Sequence, residues 1–201
     1  MQINIDKKTG ALLSIIAILA VTLIFVISSK NSSVDHSDMS SHMHGVSESA
    51  NFTGADVMFL QMMIPHHQQA IDMADVAAQI SKNPELLKLA SDIKSEQSAE
   101  IIQMRAWLKE AKASEDAGHS MHEMGGMLSS EDFANLKAAT GSNFDKLWLE
   151  GMIGHHDGAI HMTNMIIDAD NLKLKKFGQG IVKSQAAQIE QMKEMLKRIQ
   201  K

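Results

Sequence analysis

The chain carries one pattern twice. Met63–Met73, MIPHHQQAIDM, returns as Met152–Met162, MIGHHDGAIHM, and Gln97–Met104, QSAEIIQM, returns as Gln185–Met192, QAAQIEQM. The first pair is offset by 89 residues and the second by 88, so the one-residue difference falls in the turn between the two segments of each half. The halves run over 56–110 and 144–199. A repeat on this scale fixes the architecture before any local motif does, because each copy is one supersecondary unit that must bury its apolar face against the other.

Each unit reads as a helical hairpin. Phe59, Met63, His66, Ala70, Met73 and Ala77 recur at steps of four and three, the inward stripe of a bundle helix. Trp148, Met152, His155, Ala159, Met162 and Ile166 repeat it. Asn83-Pro84-Glu85 then supplies a cap residue, a proline at the first helical position and an acid in the first turn. Leu86, Ala90, Ile93, Gln97, Glu100, Met104 and Trp107 form the stripe that follows, matched by Leu174, Gly178, Ile181, Gln185, Gln188, Met192 and Met195. Two such hairpins predict an all-α, antiparallel four-helix bundle over 55–201, with a short bridging helix over 130–139. The hydrophobic share of 44% with only 4% aromatic residues and no Tyr argues against a β-sandwich or barrel. Pro65 breaks a helix rule inside the first stripe and predicts a kink. Its counterpart is Gly154, another poor helix former, and both stand just before a His-His pair.

Outside the repeat the chain changes character. Residues 11–27, ALLSIIAILAVTLIFVI, are apolar and uncharged behind Lys7 and Lys8, so 1–29 reads as a membrane anchor or signal segment. The run is longer than a usual signal-peptide core and lacks an A-x-A site, which favours an uncleaved N-terminal hydrophobic helix. The flanking lysines hold the N-terminus in the cytoplasm and deliver the bundle to the periplasm or cell exterior, anchored, or secreted if the segment is cleaved. Residues 30–54 are Ser-rich and carry His42, Met43 and His44; a second polar stretch, 111–129, carries His119, Met121, His122, Met124 and Met127. Both read as flexible tethers.

The chemistry follows from what is missing and what is in excess. With no Cys, a metal must be held by nitrogen, oxygen or thioether, and the chain has 16 Met and 10 His. Counting along antiparallel helices sets His66 opposite Gln97, Glu100 and Met104, and His155 opposite Gln185, Gln188 and Met192. Met63, Met73, Met152 and Met162 bracket the two His-His pairs, with His67 and His156 about 100° around the helix from their neighbours. His161 has no counterpart, since Asp72 stands at its place in the first half. Polar groups on an apolar stripe are costly unless paired or holding something. Thioether with imidazole, few carboxylates and no thiol selects Cu(I), with Ag(I) or Cu(II) as alternatives. Against this stands the plain reading, in which methionines such as Met58, Met62, Met165 and Met195 fill core gaps and seam histidines satisfy one another.

Other functions find less support. The net charge of −5 offers no footprint for nucleic acid. The Glu-x-x-His pairs of di-iron bundle oxidases do not occur, nor does His-Glu-x-x-His, a phosphate loop or a nucleophile elbow. A binding protein is expected rather than an enzyme.

The doubled Met-Ile-x-His-His signature, with Ala70-Ile71-Asp72-Met73 downstream of the first copy and Phe144-Asp145 leading into the second, resembles that of the domain-of-unknown-function 305 family over 56–200. CopM-like members of that family are exported copper-binding proteins. The resemblance implies a ferritin-like bundle and a copper or silver site at His66, His67, Met73, His155, His156 and Met162. The expectation is an extracytoplasmic protein that buffers, stores or relays Cu(I), with metal ions, the membrane and a copper transporter or chaperone as partners. The alternatives are a ferritin-like metal-dependent oxidase and a metal-free helical interaction module.

Overall fold

Helix α1 (Gly54–Ile80) begins where Thr53 and Asp56 exchange hydrogen bonds: the Thr53 hydroxyl accepts from the Asp56 N–H at 3.2 Å and the Asp56 carboxylate accepts from the Thr53 N–H at 2.8 Å. Together these bonds satisfy donors that a helix start otherwise leaves unpaired. The helix runs unbroken through Pro65. Asn83 then caps α2 (Pro84–Glu110), its side-chain oxygen accepting from Glu85 and Leu86 N–H groups at 3.1 and 3.4 Å. The short α3 (Ser130–Ala138) is capped by Ser129 and ends one residue before its expected limit. Helix α4 (Gly141–Met162) passes into a 3-10 turn at Thr163–Ile166. Asn171 then repeats the device of Asn83, accepting from Lys173 and Leu174 N–H groups at 3.1 and 3.2 Å to open α5 (Leu172–Ile199).

The computed structural model describes residues 52–116 and 124–199, which contain these five α-helices and no strand. The apolar run 11–27, the tether residues His42, Met43 and His44, and the linker residues His119, Met121 and His122 lie outside the described residues. Among the described residues no helix is long and apolar enough to cross a membrane.

Helix α1 packs along α2, α4 along α5, and α1 against α4, giving a helical bundle. Its core shows what the repeat does in space. Phe59, Leu60, Met63, Met104 and Trp107 pack with Ala159, Met162, Leu174 and Ile181. Their repeat counterparts Trp148, Leu149, Met152, Met192 and Met195 pack with Ala70, Met73, Leu86 and Ile93. Each of these nine residues thus has its repeat partner in the other cluster, so the halves are related by an approximate two-fold axis. The rings of His66 and His155, a repeat-related pair, come together where α1 and α4 pack.

The linker is not a free tether at its described ends. Gln61 donates to the Ser114 carbonyl at 2.7 Å, and Arg105 grips the Glu115 carboxylate through two nitrogens at 2.7–3.0 Å. At the other end Gln69 both donates to the Leu128 carbonyl (2.9 Å) and accepts from the Leu128 N–H (2.8 Å). Composition alone missed this, because the anchoring groups are on α1 and α2 rather than in the linker.

Candidate metal centre

Four histidines form a buried layer. His66, His67, His155 and His156 are all fully shielded from solvent. The rings of His66 and His155 lie with centroids 3.8 Å apart, tilted by 40°. His155 donates from Nε2 to the His66 backbone carbonyl at 2.9 Å, and His66 donates from Nε2 to the Gly125 carbonyl at 3.3 Å. His156 Nε2 donates to Gln188 Oε1 at 2.7 Å; the amide nitrogen of Gln188 in turn donates to Glu96 at 2.8 Å, which fixes the amide's orientation. His67 Nε2 meets a Glu100 carboxyl oxygen at 2.7 Å. In the neutral ring an Nε2 that donates leaves the lone pair on Nδ1. All four Nδ1 atoms are buried without a hydrogen-bond partner.

This corrects the facing expected from counting. His67 and His156, not His66 and His155, face Glu100 and Gln188. A bundle helix has two inward neighbours, and adjacent histidines about 100° apart point one to each. On α1, His66 turns to α4 and His67 to α2.

Burial dominates the electrostatics. It pushes His66 and His67 down to about 3 and His156 down to about 4, and holds His155 well below the ordinary histidine range, with neighbouring imidazoles adding repulsion around His66 and His155. The rings are therefore neutral and available as ligands at physiological pH. Burial also raises the Glu100 carboxyl to about 7. The side-chain amides of Gln97 and Gln185, another repeat-related pair, are buried with neither nitrogen nor oxygen partnered. A buried polar atom left unpaired costs about 1–3 kcal/mol.

Methionines stand in the core clusters on both sides of the axis. Met63, Met73, Met104, Met152 and Met192 are fully buried and Met162 is 8% exposed. Among the described residues no three His, Asp or Glu side chains are grouped to hold a metal ion by themselves. The neutral donors this interior contains are imidazole Nδ1 and thioether sulfur. Both donors are neutral, and thioether sulfur is soft. His161 is exposed in the last turn of α4, apart from this layer. Met124 is buried and Met127 half-buried, both against the cluster that contains Met63 and Met104. Of the methionines read as core filler, Met195 is buried, whereas Met58 is 41% exposed.

The residue that seats the linker on this layer escaped the sequence reading. Gly125, whose carbonyl receives His66, presses on α4 so closely that a Cβ on Gly158 would stand 2.0 Å from its oxygen. Gly126, at φ +85°, lies against Gly154, where a Cβ would come 2.4 Å from the Gly154 carbonyl oxygen. The signal was present as Gly154 and Gly158 one turn apart on α4, facing the Gly125-Gly126 dipeptide.

The fold and site define a class: a helical bundle built by duplication, with a buried imidazole layer flanked by thioethers. The family profile described as "Domain of unknown function (DUF305)" matches residues 56–196, and the chain belongs to that family. It is similar to a DUF305 fragment from Deinococcus radiodurans (31% identity, TM-score 0.69, covering 74% of this chain and 99% of that one). A DUF305 protein from Streptomyces coelicolor assigned as secreted gives 25% identity and a TM-score of 0.68, over 72% and 93% of the two chains. CopM in its Cu(I)-bound form gives 34% identity and a TM-score of 0.61, over 71% and 96%, and CopM has also been seen with Cu(II) and with Ag bound. A search of curated proteins gives no match.

Proposed function

We propose that this chain is an extracytoplasmic copper-binding protein that buffers, stores or relays Cu(I), with Ag(I) and Cu(II) as alternative cargo, in metal homeostasis or resistance. The observation that carries the reading is the set of four buried histidines, each with Nε2 engaged by an oxygen and Nδ1 left free. An imidazole that binds a metal through one nitrogen characteristically donates the other N–H to a carbonyl or carboxylate, which fixes its orientation. Here Gly125, the His66 backbone, Gln188 and Glu100 do that in advance.

His66, His67, His155 and His156 are the nitrogen ligands in this reading, and Met63, Met73, Met104, Met152, Met162 and Met192 the thioether reserve. The likeness to CopM, which binds Cu(I), Cu(II) and Ag, supports the choice of metal. The arrangement is ferritin-like in type, but its role is binding rather than catalysis, since the sequence lacks the Glu-x-x-His pairs of bundle oxidases. The apolar run at 11–27 tethers the bundle to the outer face of a membrane, where a copper transporter or chaperone exchanges the ion with it.

The test is an anaerobic competition titration against a Cu(I) chelator. Replacing His66 and His155 together by Ala is expected to weaken Cu(I) binding by more than about 100-fold, with circular dichroism showing an intact helical fold. Unchanged affinity in the folded double variant overturns the assignment.

A further inference from the structure

Along α1, beside the stripe that meets the core, runs a cavity of about 1330 Å³ roofed by the end of the linker. Met58 and Met62, one helical turn apart, line one wall, and Met124 and Met127 line another. Four thioethers on one cavity are not core filler. Met58 is 41% exposed and Met62 and Met127 are half-buried, unlike the core methionines, while Met124 is buried at 9% exposure. Met62 and Met127 also pack against the same apolar cluster that contains Met124.

The frame around them is fixed. The two hydrogen bonds between Gln69 and Leu128 hold the roof, and the Gly125–Gly158 contact leaves it no slack. Among the described lining residues Arg105 is paired with Glu115 and Asp72 adds a further carboxylate, so the described wall carries no net positive charge, while the thioethers add no charge of their own. Soft neutral sulfur favours Cu(I) and Ag(I). The cavity lies beside the histidine layer: Pro65 on its lining directly precedes His66, and Gly125, next to Met124 in the chain, accepts the His66 N–H.

We propose that Met58, Met62, Met124 and Met127 form a second site, for a monovalent soft cation such as Cu(I) or Ag(I), which captures the ion at the bundle surface ahead of the buried histidines. Its ligand class rests on the copper and silver reading given above, but its residues are separate from that site. The roof residue Gly125 is the point at which occupancy of the outer site is felt by His66.

The experiment is a titration of the full chain, in detergent, with Ag(I), which needs no reductant. Methionine methyl carbons and histidine rings are isotopically labelled and followed by NMR, with signals assigned from single Met→Leu variants. The methyl signals of the four methionines are expected to shift before the ring signals of His66 and His155. The variant carrying Met58→Leu and Met62→Leu, neither of them a buried position, is expected to lose the early shifts at Met124 and Met127 while the rings still respond at higher Ag(I). Methyls that stay unmoved at silver saturation, or that move only after the rings, overturn the outer site and leave the buried site standing. Methyls that move while the rings never do overturn the buried site and leave the outer one.

Discussion

The two hairpins share a skeleton and differ in charge at the same point. In the first, His67 leans on the Glu100 carboxylate; in the second, the equivalent His156 leans on the Gln188 amide. Gln188 then reaches across to Glu96, so both carboxylates behind the histidine layer come from α2 and none from α5. Duplication has kept the positions of the four histidines while making their hydrogen-bond partners unequal. A carboxylate behind an imidazole raises its basicity as a ligand and an amide does so less, so in the proposed copper-binding reading His67 is the stronger donor and the first half the tighter side.

The broadest way to separate the halves is pH. In the metal-free protein the four buried histidines have folded-state values below their ordinary one of 6.5, so the stability they contribute is present above 6.5 and is lost as pH falls toward about 3. Glu100 acts oppositely. Its raised value means that its contribution is present below 4.5 and is lost as pH rises through about 7. Chemical denaturation followed from pH 7.5 downward should therefore show steep destabilisation in acid, and Glu100→Gln should remove the opposing change between 4.5 and 7. An acid limb as shallow as that of an exposed-histidine protein would show that the four rings are not held neutral by the fold.

Metal affinity gives the next largest effect. Glu100→Gln makes the first half electronically like the second and is expected to weaken Cu(I) binding by about 10–100-fold, whereas Gln188→Glu is expected to strengthen it. The pair is read by competition against a Cu(I) chelator. Equal and small effects of both substitutions would mean that the asymmetry is structural only.

How much of this was legible in the sequence depends on whether a feature is local. The stripes at Phe59–Ala77 and Trp148–Ile166 were readable because burial follows the helical period, and every one of those residues is at most 8% exposed. Asn83-Pro84-Glu85 announced α2, but Asn171 caps α5 followed by Leu172 and Lys173, without a proline or an acid, and gave no comparable signal. The burial of His66 and His155 was legible from the stripe, but that of His67 and His156 was not, nor which histidine faces Glu100, because both depend on how each helix divides its inner face between two neighbours. The seat of the linker is tertiary throughout. A glycine in a helix looks like a propensity cost until the backbone that lies against it is known.

That seat supplies the smallest and most local test of the comparison. Gly154 and Gly158 lie on the same helix one turn apart, and intrinsic propensity treats them alike, each being less favourable than alanine by about 1 kcal/mol. Their surroundings do not. A Cβ at Gly158 meets the Gly125 carbonyl carbon at 2.6 Å as well as its oxygen, while a Cβ at Gly154 meets nothing within 4 Å. Gly158→Ala must therefore push the linker off α4 and is expected to cost about 1–3 kcal/mol despite its better helix propensity. Gly154→Ala is expected to gain up to about 1 kcal/mol. The counterparts in the first half are Pro65 and Gln69, so only the second half shows this contrast of neighbouring glycines. Urea unfolding of the two metal-free variants decides the matter through opposite shifts of the midpoint; shifts of the same sign would detach the linker from α4 and, with it, the Gly125 carbonyl from His66.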